Sequence, residues 1–459
     1  MAHDEWRTAF HITPPTGWLN DPNGLCQRDG TYHVYHQWRP AWPDSPECVW
    51  GHATSRDLAH WEHRGCAIPV TLPEEEGGVW SGSACLAEGA PMRVYYTANR
   101  KFRDRDDYDY VTTGRTACQV TATSEDGLSF SDKRVLLRNE DYPEEMSLHV
   151  RDPKVWDQDG SMHMLLGART RGDVGVAMVW DSEDGLSWRH RLTVRPDEPV
   201  GYMWECPDRV ALGGSEFLLC CPQGLPSLPD RWQNHDNSGY FPLDGRLLDC
   251  AGVRAADFVE LDRGFDFYAP QTFVDESGRT LMLAWMSEPT PPHECVPDGF
   301  GLYHCLTVPR VLSLGDDGLI RQLPAPELDL LHEGRLEAEG GILRASDHAA
   351  DVRLEGVSGD LRVTLDGALR LEVAGGVARL SFLDGPDGVG AGRVERTCPV
   401  GDVRDLRLLV DRSAVELFLD GGSRAFATRW FPSARELAVE VAGEVADIEA
   451  WEMGNGIGW

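Results

Sequence analysis

Positive charge is scarce in this chain of 459 residues: 43 Lys and Arg face 75 Asp and Glu, a formal charge of -32, and only three of the bases are lysines. Such a surface repels phosphate backbones and anionic lipid, so nucleic acid and membranes are not expected partners. Cysteine is sparse as well. The twelve are scattered with no C-x-x-C pair, and only Cys220 and Cys221 adjoin, which predicts reduced thiols instead of a disulfide scaffold. His33 and His36, or His60 and His63, have nothing clustered beside them to complete a tetrahedral zinc site, so no metal is expected. No run nears the roughly 18 apolar residues of a membrane span. Met1 to Phe10 is charged and lacks a secretory apolar stretch, so a cytoplasmic location is expected.

What the chain does have is turns and short apolar runs. With 41% hydrophobic and 26% charged residues, 48 glycines and 29 prolines, it fits a globular protein of two or three domains. Five glycines introduce similar strands: Gly30 before Tyr32–His36, Gly89 before Met92–Tyr96, Gly160 before Met162–Leu166, Gly214 before Phe217–Leu219 and Gly278 before Leu281–Trp285. Their spacing suits one four-stranded antiparallel sheet per repeat, and five sheets suggest a five-bladed β-propeller. A second repeat runs in phase, from Ser55 to Trp61, Ser124 to Phe130 and Ser182 to Trp188. In each, a polar turn holding an Asp leads to an aromatic suited to packing between sheets.

After Pro309 the pattern changes. Leu323-Pro324-Ala325-Pro326 reads as a linker, Glu327 to His332 as a short helix, and the remainder as closely spaced strands alternating with period two, the pattern of a β-sandwich. The expected organisation is all-β: a propeller over 1–322, a linker over 323–334 and a C-terminal β-sandwich over 335–459.

Counting back from the repeated glycines places Asp21, Asp152 and Glu205 at equivalent points in three blades, with Trp80 and Tyr268 to Gln271 at the matching points of the other two. Each acid is followed by proline directly or one residue on, in Asp21-Pro22, Asp152-Pro153 and Glu205-Cys206-Pro207, which bends the chain and suggests strand ends. Carboxylates converging without metal-ligand spacing suit glycoside hydrolysis, in which one acid attacks or activates water and another protonates the leaving oxygen. Arg151 should favour ionised Asp152, whereas Trp204, Cys206 and Pro207 should keep Glu205 protonated as the acid. The residues alone leave open whether Asp21 or Asp152 is the nucleophile and whether configuration is retained or inverted.

Five segments in order, Trp18–Gly24, Trp80–Ser83, Arg151–Lys154, Trp204–Asp208 and Asp266–Gln271, resemble the motifs of glycoside hydrolase family 32, the invertase and β-fructofuranosidase family. Shorter matches at Trp50–Ala53, Thr307–Arg310 and Asp411–Glu416 extend the similarity over nearly the whole chain. The resemblance implies a propeller followed by a sandwich, no cofactor, and a retaining hydrolase that releases terminal fructosyl units from sucrose, sucrose 6-phosphate or short fructo-oligosaccharides. It implies Asp21 as nucleophile, Glu205 as acid/base and Asp152 as the stabiliser of the transition state. It further implies Asn20, Gln37, Trp50, Trp80, Ser81, Arg151, Tyr268 and Trp285 as substrate-binding residues. A fructosyltransferase would share the same intermediate, and a non-catalytic carbohydrate-binding propeller or an inverting arabinan or xylan hydrolase would share the architecture.

The sequence departs from the family pattern at Arg39-Pro40 and Ser45-Pro46, at Trp80, where Phe is usual, and at Gly301–Cys305, which lacks the usual Trp-Gly. These changes bear on the leaving-group preference. The run Arg100 to Tyr110 has two readings: a solvated loop at the propeller mouth, the favoured one, or a set of bases that catches a substrate phosphate.

Overall fold

The computed structural model describes residues 4–289, 296–297, 300–385, 388–434 and 436–458. Among them, helix is limited to short 3-10 turns, the longest being Pro326–Leu331 in the expected linker.

The repeated strands become the second strands of five antiparallel sheets: Thr31–Arg39, Met92–Lys101, Ser161–Thr170, Ser215–Gln223 and Thr280–Trp285. Each pairs with an inner strand, respectively Gly17–Arg28, Val79–Cys85, Met146–Gln158, Met203–Leu212 and Tyr268–Val274. The inner strands touch in chain order and the fifth returns to the first, closing a five-bladed ring. We number the blades I to V.

The period of two explains why these strands are apolar on both faces. Val34 points into a core shared with blade V, and its neighbour Tyr35 into one shared with blade II. Tyr96 and Tyr95 divide likewise between the I–II and II–III cores, Leu165 and Leu166 between III–IV and II–III, Leu218 and Leu219 between III–IV and IV–V, and Met282 and Leu283 between IV–V and V–I. The hydrophobic core is thus five cores, one in each gap. The outer strand Ser131–Leu137 is charged and partly exposed, which blunts the edge of its sheet, and Arg189–Pro196 is covered at its end by the parallel strand Gly252–Val253.

The second repeat acts across the gaps. Asp126 Oδ1 accepts the Leu128 N–H and Asp184 Oδ1 the Leu186 and Ser187 N–H groups, shaping the turn. Phe130 then meets Tyr35 edge-on at 5.5 Å, and Trp188 meets Tyr95 at 5.9 Å. The tyrosine hydroxyls donate back to the Gly127 and Gly185 carbonyls. Each such ring pair contributes about 1 kcal/mol beyond the area it buries.

Two six-stranded sheets follow, built from strands between His332 and Met453. Leu361, Val363 and Leu371 from one and Val352, Leu408 and Leu417 from the other fill the sandwich core. The chain then crosses back: Ile457–Gly458 adds a parallel strand to the outer edge of blade I, pairing with Trp61 and Glu62.

A buried ionic cluster fastens the two halves. Asp411 of the sandwich accepts the N–H groups of Ala9, Phe10 and His11 and the His11 ring Nδ1, while Glu416 accepts His11 Nε2, the Val308 N–H and Arg310 Nε. An imidazole donating from both nitrogens is the imidazolium. Burial pulls the His11 pKa down, but the two carboxylates outweigh it and hold it above 6.5. The Asp411–Glu416 motif therefore serves domain fixation.

Candidate active site

All five inner strands are bulged at the positions singled out in the sequence. Register shifts by one or more residues across Asn20-Asp21, Trp80-Ser81, Asp152-Pro153, Cys206-Pro207 and Ala269-Pro270. A bulge frees one residue from the ladder, accommodates proline and re-aims the side chain beside it. Here the acids differ from the strand-end expectation: Asp21 and Asp152 lie inside long strands, and the proline marks a bulge. Asp152, Cys206 and Ala269 have φ of 64°, 44° and 50°, left-handed values that non-glycine residues adopt only when the surroundings impose them. Pro22, Gly82, Pro153, Pro207 and Pro270 line a narrow space at the centre of the ring.

The bulges bring the three acids together. Asp21 is ringed by donors: Asn20 Nδ2 lies 3.1 Å from Oδ1, Gln37 Nε2 lies 3.3 Å from Oδ2, and the Ser81 hydroxyl also donates to Oδ2. Gln37 is held in turn by Asn20 at 2.9 Å and by Ser81 at 2.5 Å. The Cys206 thiol lies 3.7 Å from both Asp21 Oδ2 and Asp152 Oδ2, bridging blades I, III and IV. Asp152 Oδ2 also accepts the Cys206 N–H at 2.9 Å. Glu205 takes Arg151 on Oε1, and on Oε2 the Tyr268 hydroxyl at 2.6 Å and Gln223 Nε2 at 3.1 Å.

The geometry refines one expectation about charge and corrects another. Arg151 and the Cys206 N–H do pull the Asp152 pKa down, but burial dominates and raises it to about 6. The Arg151 fork is directed to Glu205, leaving Nε at 3.7 Å from Asp152. Glu205 is not in an apolar setting: its sequence neighbour Trp204 faces away, fully buried in the III–IV core and packed on Phe241. Adjacent residues on a strand point to opposite faces, so chain neighbours are a poor guide to side-chain surroundings.

Of the other residues singled out, Asn20, Gln37, Ser81, Arg151 and Tyr268 contact the acids directly. Trp80 is half-exposed, with the Arg151 guanidinium 5.5 Å from its ring centroid. Trp285, directly across the ladder from Tyr268, packs on His304 and Trp18 and is buried in the core between blades V and I. Trp50 is buried too. It is fully buried in the I–II core and donates from its indole to the Trp80 carbonyl, so it holds Trp80 from beneath and does not line the opening.

The sequence reading missed Gln223 and Cys206. Gln223 ends the second strand of blade IV as Gln37 nearly ends that of blade I, a parallel that the repeat could have exposed. Cys206 was visible only as part of the Glu205 frame. Among the described residues, one group has metal-ligand proximity, Asp329, His332 and Asp351, but Arg353 and Arg407 already pair with both carboxylates.

Comparison with known proteins agrees with this arrangement. Residues 11–324 match the Glycosyl hydrolases family 32 N-terminal domain and residues 385–452 the Glycosyl hydrolases family 32 C terminal. The chain is 36% identical over 444 residues to a sucrose-6-phosphate hydrolase of Klebsiella pneumoniae, covering 94% of this chain and 89% of that protein. It is 34% identical over 451 residues to that of Bacillus subtilis strain 168, covering 94% and 90%. The sucrose-6-phosphate hydrolase structure from Lactobacillus gasseri superposes with a TM-score of 0.84 at 25% identity, over 99% of this chain and 94% of that one. The chain belongs to glycoside hydrolase family 32.

Proposed function

We propose that Asp21, Glu205 and Asp152 are the working acids of this fructosyl-releasing hydrolase of the invertase type, and that it retains configuration. Asp21 attacks the anomeric carbon C2 of a terminal β-fructosyl unit. The C2–O bond to the leaving sugar breaks and its oxygen takes the proton from Glu205. Water, deprotonated by Glu205, then attacks C2 of the fructosyl-enzyme, and Asp21 leaves as a carboxylate. The observation that carries this reading is the convergence of the three acids, with Asp21 fixed by four side-chain donors and Glu205 by three.

Fixation supplies the catalysis. Asn20, Gln37 and Ser81 hold the Asp21 lone pairs in one direction, so no reorganisation accompanies attack. Asn20 Oδ1 and Arg151 Nη1 are buried without a protein partner, which suits the hydroxyl rim of a sugar. Asp152, on the far side of Cys206 from Asp21, faces the positive charge that develops at C2.

The test is the first-formed product. Proton NMR during sucrose hydrolysis should show β-fructofuranose released before mutarotation. First release of the α-anomer would refute the retaining scheme, and undiminished fructose release by folded Asp21→Ala protein would refute the assignment. Loss of a nucleophile costs at least about a thousandfold.

A further inference from the structure

Each bulge leaves one residue of the second strand facing it without a register mate: Gln37 in blade I, Thr97 in blade II, Leu166 in blade III, Cys220 in blade IV and Ala284 in blade V. All five are buried. Leu166, Cys220 and Ala284 simply join the cores between blades. The two polar members each reach an acid. Gln37 holds the Asp21 carboxylate, whereas Thr97 reaches across the gap to blade III, where its hydroxyl accepts the Asp152 N–H at 2.9 Å.

That bond is one end of a chain that runs in a single direction. Thr97 Oγ1 donates to Gln119 Oε1 at 2.9 Å, Gln119 Nε2 donates to the Tyr142 hydroxyl at 3.0 Å, and this hydroxyl donates to the Ala117 carbonyl at 3.2 Å. Each hydroxyl accepts once and donates once, so the direction of every proton is fixed and each bond polarises the next. Thr97 and Gln119 face each other across the ladder of blade II, while Tyr142 lies on the crossover to blade III with its ring edge-on to Trp180 in the II–III core. Thr97 and Gln119 are fully buried and Tyr142 is 7% exposed, so water does not readily replace any link.

We propose that Thr97, Gln119 and Tyr142 are positioning residues for the known reaction, a relay that holds Asp152 at the angle from which it faces the reacting carbon. Among the three acids Asp152 alone has a left-handed backbone, which persists only where the surroundings impose it. The bulge at Asp152-Pro153 interrupts the ladder, so the Asp152 N–H must find its acceptor elsewhere. It finds one in blade II, while its carboxylate takes the Cys206 N–H of blade IV. Asp152 is thus held at both ends by different blades, and the blade II end is anchored through three side chains to a backbone carbonyl.

The relay rests on the reading of Asp152 as the acid opposite the developing charge, and the experiment separates the two. Turnover of sucrose is measured for wild type, Thr97→Val, Thr97→Ser, Tyr142→Phe, Asp152→Asn and the double variant Thr97→Val with Asp152→Asn, and hydrogen exchange at the Asp152 amide is followed by NMR. Thr97→Val keeps the shape and removes the acceptor. It should lower kcat about tenfold, the usual effect of leaving one buried donor unpaired, with KM nearly unchanged because the charge that Asp152 faces exists only in the transition state. Thr97→Ser, which keeps the hydroxyl, should recover most of the loss. Tyr142→Phe, two bonds along, should lower kcat about threefold, and it keeps the test open if Thr97→Val fails to fold. In the Asp152→Asn background Thr97→Val should cost nothing more, since Thr97 acts through that carboxylate. Undiminished kcat in the folded variants, or a full tenfold loss on top of Asp152→Asn, would overturn the proposal. Wild-type turnover by Asp152→Asn would instead sink the assignment of Asp152, and the exchange still decides on the relay: faster exchange in Thr97→Val supports it and unchanged exchange refutes it.

Discussion

Replacing Tyr268 by Phe removes one atom from the proposed acid's environment and little else. The ring stays in the core shared by blades I and V, against Leu283 and Trp285, while the hydroxyl 2.6 Å from Glu205 Oε2 is lost. Tyr268 is 1% exposed and Glu205 8%, so water does not readily take over the bond. A hydrogen bond to a charged group contributes about 1.5–3 kcal/mol. It is strongest after Glu205 has given its proton to the leaving oxygen, so the loss falls on the transition state and lowers kcat more than it raises KM. At about 1.4 kcal/mol per factor of ten, kcat on sucrose should drop roughly ten- to hundredfold. A fructoside with a nitrophenolate leaving group departs without a proton, so the glycosylation step on it should be nearly insensitive to the substitution. Steady-state rates on sucrose and single-turnover nitrophenol release provide the comparison, with circular dichroism as the check on folding. Equal losses on both substrates, or a loss under about threefold on sucrose, would refute the role of this contact.

Two other outcomes follow from buried charge. With Asp152 raised to about 6 and, in the proposed mechanism, needed as a carboxylate opposite the developing cation, kcat/KM should fall as pH drops through about 6, a macroscopic value shared with the acids beside it; a profile flat down to about pH 5 would contradict this. His11→Ala should destabilise the protein by about 3–5 kcal/mol in urea unfolding, because it leaves Asp411 in the interior without a counter-ion, while Glu416 loses one ionic partner and keeps Arg310. In wild type the His11 contribution is complete below its ordinary value of 6.5 and lost as pH rises through its raised folded value. Those of Asp411 and Glu416 are complete above 3.8 and 4.5 and lost as pH falls through their depressed values. The mutational cost should therefore be greatest between about pH 4.5 and 6.5 and shrink on either side; a cost independent of pH would remove the ionic account.

Much of the fold was legible because a propeller repeats its physics. The five glycine-led strands are buried on both faces, so each had to be apolar throughout, and that is visible in residues such as Val34-Tyr35 and Leu165-Leu166 without coordinates. The acids were legible through their prolines, although the reason differs from the one expected: Pro22, Pro153 and Pro207 mark bulges within strands, not strand ends. What the sequence hid depends on which way side chains point between distant elements. Trp204 adjoins Glu205 in the chain and faces the opposite core, and Arg151 reaches past its neighbour Asp152 to another blade. Trp50 has the composition of a sugar platform and is a support.

The most direct test of the proposed chemistry is to stop the reaction after its first half. Glu205→Gln protein should still be fructosylated by a nitrophenyl fructoside, whose leaving group needs no acid, but should hydrolyse the adduct slowly. Mass spectrometry of the quenched and digested protein should place one fructosyl unit on the peptide that contains Asp21. An adduct on the peptide of Asp152, or a burst of nitrophenol with no adduct anywhere, would contradict the account.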